Sequence, residues 1–232
     1  MTLIPYGTMK NKYVKRSKIS EAKFRKIIMY FSLELDAQKI AALTSLNRNT
    51  VNRYLGRVRT RIVDLCELQA RKRQFDLKLA PSVNSDECCD HLKAEREERL
   101  PVFGIRSRND HVYTNLFPSG VYRKLRHLIR GGADQANFAV PKEWHFYDGI
   151  VDLKGRWHYR LSPVSPGVPT SEDIQHGIES FLGFARKRLA TFQLNGSDHF
   201  NLVLKECEFR FNNRREDLYQ LLLKRFRERP LS

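Results

Sequence analysis

Three absences set the frame. No stretch of the 232 residues approaches the roughly 18 consecutive apolar side chains of a membrane-spanning helix, so no membrane partner is expected. The start, Met1-Thr2-Leu3-Ile4-Pro5-Tyr6, lacks a basic segment followed by a long apolar one, so no signal peptide is expected. Cysteine is scarce: Cys66, Cys88, Cys89 and Cys207 include no Cys-x-x-Cys pair and no disulfide framework. A reducing, cytoplasmic compartment fits that usage, and the adjacent Cys88-Cys89 have no second pair with which to build a zinc ribbon. Acid is in short supply as well. Asp and Glu number 26 against 42 Lys and Arg, for a formal net charge of +16. Residues 1–75 carry 17 Lys/Arg against 5 Asp/Glu, so most of the surplus sits on the first third. A surplus this lopsided points to a polyanionic partner bound through phosphate contacts and counterion release.

What is present in that first third is a helix-turn-helix pattern. Residues 1–18 read as a polar, basic arm. Ser20 is positioned to cap a helix whose Phe24, Ile27, Ile28, Phe31 and Leu35 repeat at three and four. Asp36 caps the next, with Ile40, Ala41 and Leu43 expected on its inner face. Leu46 packs the turn and Asn47 caps a third helix, whose Val51, Tyr54, Leu55 and Val58 point inward before it runs on through Ile62 and Leu65. Arg48, Asn49, Asn52 and Arg53 are left for the outer face. Arg matches guanine N7/O6 and Asn matches adenine N6/N7, the chemistry of major-groove readout. Arg57, Arg59 and Arg61 fall later and suit phosphates. The expected partner is therefore double-stranded DNA, which would make the chain nucleoid-associated. The bland alternative is a small helical bundle with a solvated charged face.

Residues 71–99 hold Asp86, Glu87, Asp90, Glu95, Glu97 and Glu98 and give little periodicity, so a domain boundary is expected near residue 75: an all-α domain over 1–75 and an α/β domain over 76–232. Leu100–Ile105 and His111–Phe117 read as two strands of a hairpin, with Ser107-Arg108-Asn109-Asp110 as the turn. Val121–Ile129 reads as a helix ended by Gly131-Gly132, Phe138–Val140 as a short strand, Trp144 and Tyr147 as parts of a packed turn or short helix, and Trp157–Leu161 as a strand. Ile178, Phe181, Leu182, Ala185 and Leu189 mark one closing helix, with Glu179, Arg186 and Lys187 as polar exceptions. Phe200, Leu204, Cys207 and Phe211 mark a second, and Asp217 opens a third.

Two continuous blocks, His176–Leu189 and Leu204–Arg215, together with Tyr147–Asp152 and Ser20–Leu55, resemble ISXO2-like, or IS1595-type, insertion-sequence transposases. The resemblance extends over most of residues 10–231. It implies an RNase H-like catalytic domain, truncated or degenerate here, that holds two divalent ions, Mg²⁺ or Mn²⁺, on carboxylates. It implies cleavage at element ends and strand transfer into target DNA, with terminal repeats and target as partners and a homo-oligomeric synaptic complex that holds two ends. Glu179 matches the third acidic position, Arg186 stands where the family has a Lys, and Asp86 matches the first acidic position. At the second, the family's aspartate is replaced by Lys142, leaving Glu143 and Asp148 as neighbouring carboxylates. The expected metal set is Asp86, Glu179 and one of Glu143 or Asp148, with Asp86, Glu179 and Arg186 as the catalytic group. The alternative is an inactive transposase remnant that only binds DNA.

Overall fold

Short polar side chains start the helices where the sequence places them. A computed structural model of the chain describes residues 11–72, 102–117, 147–152, 157–160, 171–191 and 197–232. Ser20 accepts the amide of Lys23 at the start of α1 (Glu21–Ser32), and Asp36 accepts that of Lys39 at 2.8 Å at the start of α2 (Ala37–Thr44). That bond, more than the nearby Lys39 ammonium, holds the exposed Asp36 carboxyl below its ordinary pKa. α2 stops at Ser45, which adopts the left-handed conformation with φ 51°, a geometry more often met by glycine or asparagine. Asn47 then accepts the amide of Asn49 at 2.8 Å to begin α3 (Arg48–Lys72). Three residues thus join α2 to α3. α3 is longer than its apolar pattern announces, because helix continues past Leu65 through polar residues.

The chain divides into two compact units, residues up to Val63 with Asn213–Ser232, and Asp64–Asn212. The first differs from the single boundary expected near residue 75. The reason is the last helix, which returns to the amino-terminal bundle: Phe226 lies 6.2 Å from Phe24, ring centre to ring centre, and Phe24 lies 6.1 Å from Tyr54. Phe24, Ile27, Ile28, Phe31, Ile40, Val51, Tyr54, Leu55, Val58, Leu222 and Phe226 are buried in this unit. Leu43, expected inside, is instead 52% exposed; Thr44 takes the inward position and satisfies its hydroxyl on the Ile40 carbonyl at 2.7 Å.

In the second unit β1 (Val102–Arg108) and β2 (His111–Leu116) form the hairpin. Its turn is tighter than expected: Ser107 and Arg108 belong to β1, and Asn109 and Asp110 make the whole turn with φ of 51° and 62°. Two successive positive φ values are what a twisted two-residue hairpin requires, and Asn and Asp tolerate them. β3 (Gly149–Asp152) pairs with β1, and β4 (Trp157–Arg160) with β3, giving an antiparallel sheet of order β2-β1-β3-β4. Helices α4 (Ser171–Thr191) and α5 (Ser197–Asn212) pack on it. Phe103, Ile105, Val112 and Val151 of the sheet meet Ile178, Phe181, Leu182, Ala185, Phe200, Leu204, Cys207 and Phe211 in one core. α6 (Leu218–Glu228), capped by Asp217, closes the chain within the first unit.

β2 is a sheet edge, and α5 covers it with side chains. Asn212 accepts the amide of Val112 and donates to its carbonyl, each at 2.8 Å. Two residues on, Glu208 accepts the Thr114 amide at 2.9 Å and the Thr114 hydroxyl at 2.6 Å, while the Lys205 ammonium donates to the Thr114 carbonyl at 2.6 Å. Lys205, Glu208 and Asn212 share one helix face by their spacing. They satisfy the row of groups that a neighbouring strand would otherwise pair.

Candidate nucleic-acid interface

α3 presents its polar residues as its sequence requires. With Val51, Tyr54, Leu55 and Val58 turned into the core, Arg48, Asn49, Asn52 and Arg53 are all exposed, beginning one residue after the turn. Arg57 and Arg59 are half-buried further along. The guanidinium carbons of Arg53 and Arg57 lie 5.6 and 5.7 Å from the centre of the Tyr54 ring, within the range at which an aromatic face attracts a cation. Arg61 is different. It is 9% exposed and donates to the Pro230 carbonyl at 3.2 Å. Its charge is committed to the end of the chain and is not presented alongside Arg57 and Arg59.

The role of Tyr54 goes beyond the inward position its spacing gives. Its hydroxyl lies 3.2 Å from Ser17 Oγ and accepts the Lys18 amide at 3.3 Å. The signal was there in the residue type: a tyrosine on a buried helix face needs a partner for its hydroxyl. Which segment supplies that partner is a long-range fact that spacing along α3 cannot carry.

The carboxylates of the second unit are arranged otherwise. Asp148 Oδ2 accepts the Ser107 amide at 2.7 Å and an Arg108 guanidinium N–H at 2.8 Å, in a nearly buried pair. The same cationic neighbour, after burial itself, holds the half-buried Arg106 below its usual pKa. Beside Asp148, the Tyr147 ring lies over Gly104, where an added Cβ would come within 2.5 Å of it. Its hydroxyl accepts Asn115 Nδ2 at 2.9 Å, and burial pushes its pKa up. On α4, Gly177 lets the helix approach β1 so closely that a Cβ there would stand 2.5 Å from Ser107 Oγ. Glu179 and Arg186 are exposed, seven residues apart and so on one side of α4.

Among the described residues, no group of three or more His, Cys, Asp or Glu side chains could hold a metal ion. Asp148 already has a guanidinium for its counter-charge, and Glu179 stands on an exposed helix face. The described carboxylates therefore do not fit a two-ion site. Asp86 and Glu143 lie outside the described residues, as do Lys142, Cys88, Cys89, the helix expected at Val121–Ile129 and the strand expected at Phe138–Val140.

The sequence reading also missed a set of buried charges on α5. Lys205, Glu206, Glu208 and Arg210 are all at most 5% exposed. Glu206 Oε1 accepts Arg210 Nε at 2.8 Å and Arg188 at 3.4 Å, and Lys205 pairs with Glu208 at 2.8 Å. Burial, the largest single influence, works against the Lys205 ammonium, but the charge and hydrogen bond of Glu208 together with the nearby Cys66 and Glu67 outweigh it and hold the pKa above the usual lysine value.

Among the described residues no helix is long and apolar enough to cross a membrane. No protein-family model and no solved structure matches the chain. A curated protein does: over 102 residues, 44% of this chain and 81% of the relative, it is 30% identical to an uncharacterized transposase-like protein of Haemophilus influenzae. With four-fifths of that relative covered at this identity, and with a basic helix pair and a helix-backed sheet in the same chain, the protein belongs to the transposase-like family.

Proposed function

We propose that this transposase-related chain binds double-stranded DNA through α2 and α3, with α3 entering the major groove. The observation that carries the reading is the exposure of Arg48, Asn49, Asn52 and Arg53 at the start of a helix held by a three-residue turn. Arg and Asn are the residues that read guanine and adenine edges with paired hydrogen bonds. Arg57 and Arg59 would add phosphate contacts. The blocks His176–Leu189 and Leu204–Arg215 support the narrower assignment to ISXO2-like, IS1595-type transposases, with element ends as the recognised DNA, an RNase H-like second domain and two copies bridging two ends. DNA binding of this kind would hold the protein at the nucleoid.

The test is selection from a random duplex pool followed by affinity measurement. The expected result is a defined sequence bound more tightly than random duplex, with the preference narrowed by Arg48→Ala. A selected pool that binds no better than the starting one sinks the reading.

A second reading is metal-dependent cleavage and strand transfer, with Asp86, Glu179 and Arg186 as the catalytic group. Its support is the pair Glu179 and Arg186, exposed on one side of α4 and matched in the family block. The Asp148–Arg108 pair favours binding without cleavage. Incubation of the selected duplex with the protein and Mg²⁺ or Mn²⁺ separates the two. Nicking that is lost in Glu179→Ala with binding retained supports the enzyme; binding without nicking in both proteins supports the inactive remnant.

A further inference from the structure

We propose that Lys15, Arg16 and Lys18 form a second DNA-phosphate contact, held beside α3 by Tyr54, that adds affinity without adding sequence preference. The proposal rests on the DNA-binding reading and extends it to a segment outside the helix pair. The three side chains are exposed. What distinguishes them from a solvated basic run is that their backbone is fixed on both sides. Asn11 Oδ1 accepts the amides of Tyr13 and Val14 at 3.0 and 3.2 Å. Val14 forms a parallel bridge with Leu231, in which Leu231 donates to Tyr13 and Lys15 donates to Leu231, each at 2.8 Å. The Tyr13 ring stacks on Phe24 at 5.9 Å.

The chain then turns at Arg16, whose φ of 50° is a left-handed value that side-chain-bearing residues adopt uncommonly. Ser17 and Lys18 follow onto the Tyr54 hydroxyl, while Arg53 and Arg57 flank the ring of the same tyrosine. One tyrosine thus ties the backbone that carries Lys15, Arg16 and Lys18, through its hydroxyl, to the helix turn that carries Arg53 and Arg57, so that a phosphate backbone laid along α3 would meet both. A segment already ordered in the free protein loses little further freedom on binding, which makes its charges count. Lys12 is left out of the set, because its amide donates to the Glu21 carboxylate at 3.4 Å and its neighbourhood is not purely basic.

The experiment measures the affinity of the full chain for its selected duplex and for a random duplex across a salt series. Each phosphate neutralised contributes about 0.9 to the slope of log affinity against log salt. The variant Lys15→Ala/Arg16→Ala/Lys18→Ala should flatten that slope by about 2 to 3 and weaken both duplexes by the same factor. Tyr54→Phe keeps the ring under both guanidinium groups and removes only the hydroxyl, so Tyr54 acts as a positioning residue. That variant should flatten the slope in the same direction by about 1, with an unchanged circular dichroism spectrum. If Arg53→Ala weakens binding but the triple variant leaves the slope untouched, the second contact is wrong and the α3 reading stands. A wild-type chain that binds neither duplex overturns both.

Discussion

The two units use charge in opposite ways. In the first, Arg48, Asn49, Asn52 and Arg53 of α3 face outward from a bundle whose interior is mostly aromatic and aliphatic. In the second, Lys205, Glu206, Glu208, Arg210 and Asp148 are buried, and each is tied to a partner within the same unit. Charge left in water is available to another molecule; charge taken out of water must be neutralised where it stands. The first unit therefore carries the features of a binding surface. Glu206, Glu208 and Asp148 of the second carry those of a self-contained polar interior.

The largest expected effect lies in that interior. Glu208→Gln leaves the Lys205 ammonium buried beside a neutral group, and breaking a buried pair costs about 3–5 kcal/mol. Urea denaturation followed by the circular dichroism of the whole chain should show the loss, and Lys205→Met/Glu208→Leu should recover part of it. A wild-type midpoint in Glu208→Gln would show that the pair is not buried as described. The pair also sets an alkaline limit. Because the folded Lys205 pKa lies above its unfolded value, the stabilisation is complete below the unfolded pKa and fades as pH rises through the folded one. Wild type should lose stability relative to Lys205→Met only in that strongly alkaline window.

Gly104→Ala comes next. The added Cβ meets the Tyr147 ring, and overpacking of this sort costs about 1–3 kcal/mol. Thermal unfolding reads it directly; an unshifted transition would mean that the ring yields freely.

Arg59→Ala and Arg61→Ala sharpen the contrast within one helix. Arg59→Ala should weaken DNA binding and flatten its salt slope by about 1. Arg61→Ala removes the bond to Pro230 and should lower stability by about 1.5–3 kcal/mol, as for hydrogen bonds from charged groups, without a specific change in slope. A salt-slope change from Arg61 equal to that from Arg59 would place both on the DNA.

The smallest effect is chemical. Burial, followed by the nearby Glu208 charge, pushes the Cys66 thiol well above its usual pKa. A thiol reagent should modify Cys66 in the native protein only as fast as the protein opens, and rapid native-state labelling would contradict its burial.

The part of the fold written most plainly in the sequence was the part built from local rules. Ser20, Asp36, Asn47 and Asp217 start helices because short polar side chains meet free amides there, and the three- and four-residue apolar spacing then fixes which face turns inward. Leu43 broke that pattern, because Thr44 could satisfy its hydroxyl on its own helix and take the buried position. β3 escaped notice since four residues carry too little alternation to stand out. The buried charges of α5 escaped for a deeper reason. On a helix surface Lys205 and Glu208 read as a solvated pair, and only the edge of β2, some ninety residues earlier in the chain, explains why they are inside. The exposed polar face of α3 was legible because Arg48, Asn49, Asn52 and Arg53 follow a cap and fall between the inward apolar positions. The burial of Arg61 was not legible because its partner, Pro230, lies 169 residues further along the chain.

The account stands or falls on whether the exposed face of α3 binds duplex DNA. The direct measurement compares the full chain with Arg48→Ala/Asn49→Ala/Asn52→Ala/Arg53→Ala on the duplex selected by the wild type and on random duplex, at one fixed salt concentration. The account predicts that the wild type prefers its selected sequence and that the fourfold variant, folded as judged by an unchanged thermal transition, loses that preference while keeping weaker, sequence-independent binding. A fourfold variant that retains the full preference would contradict it.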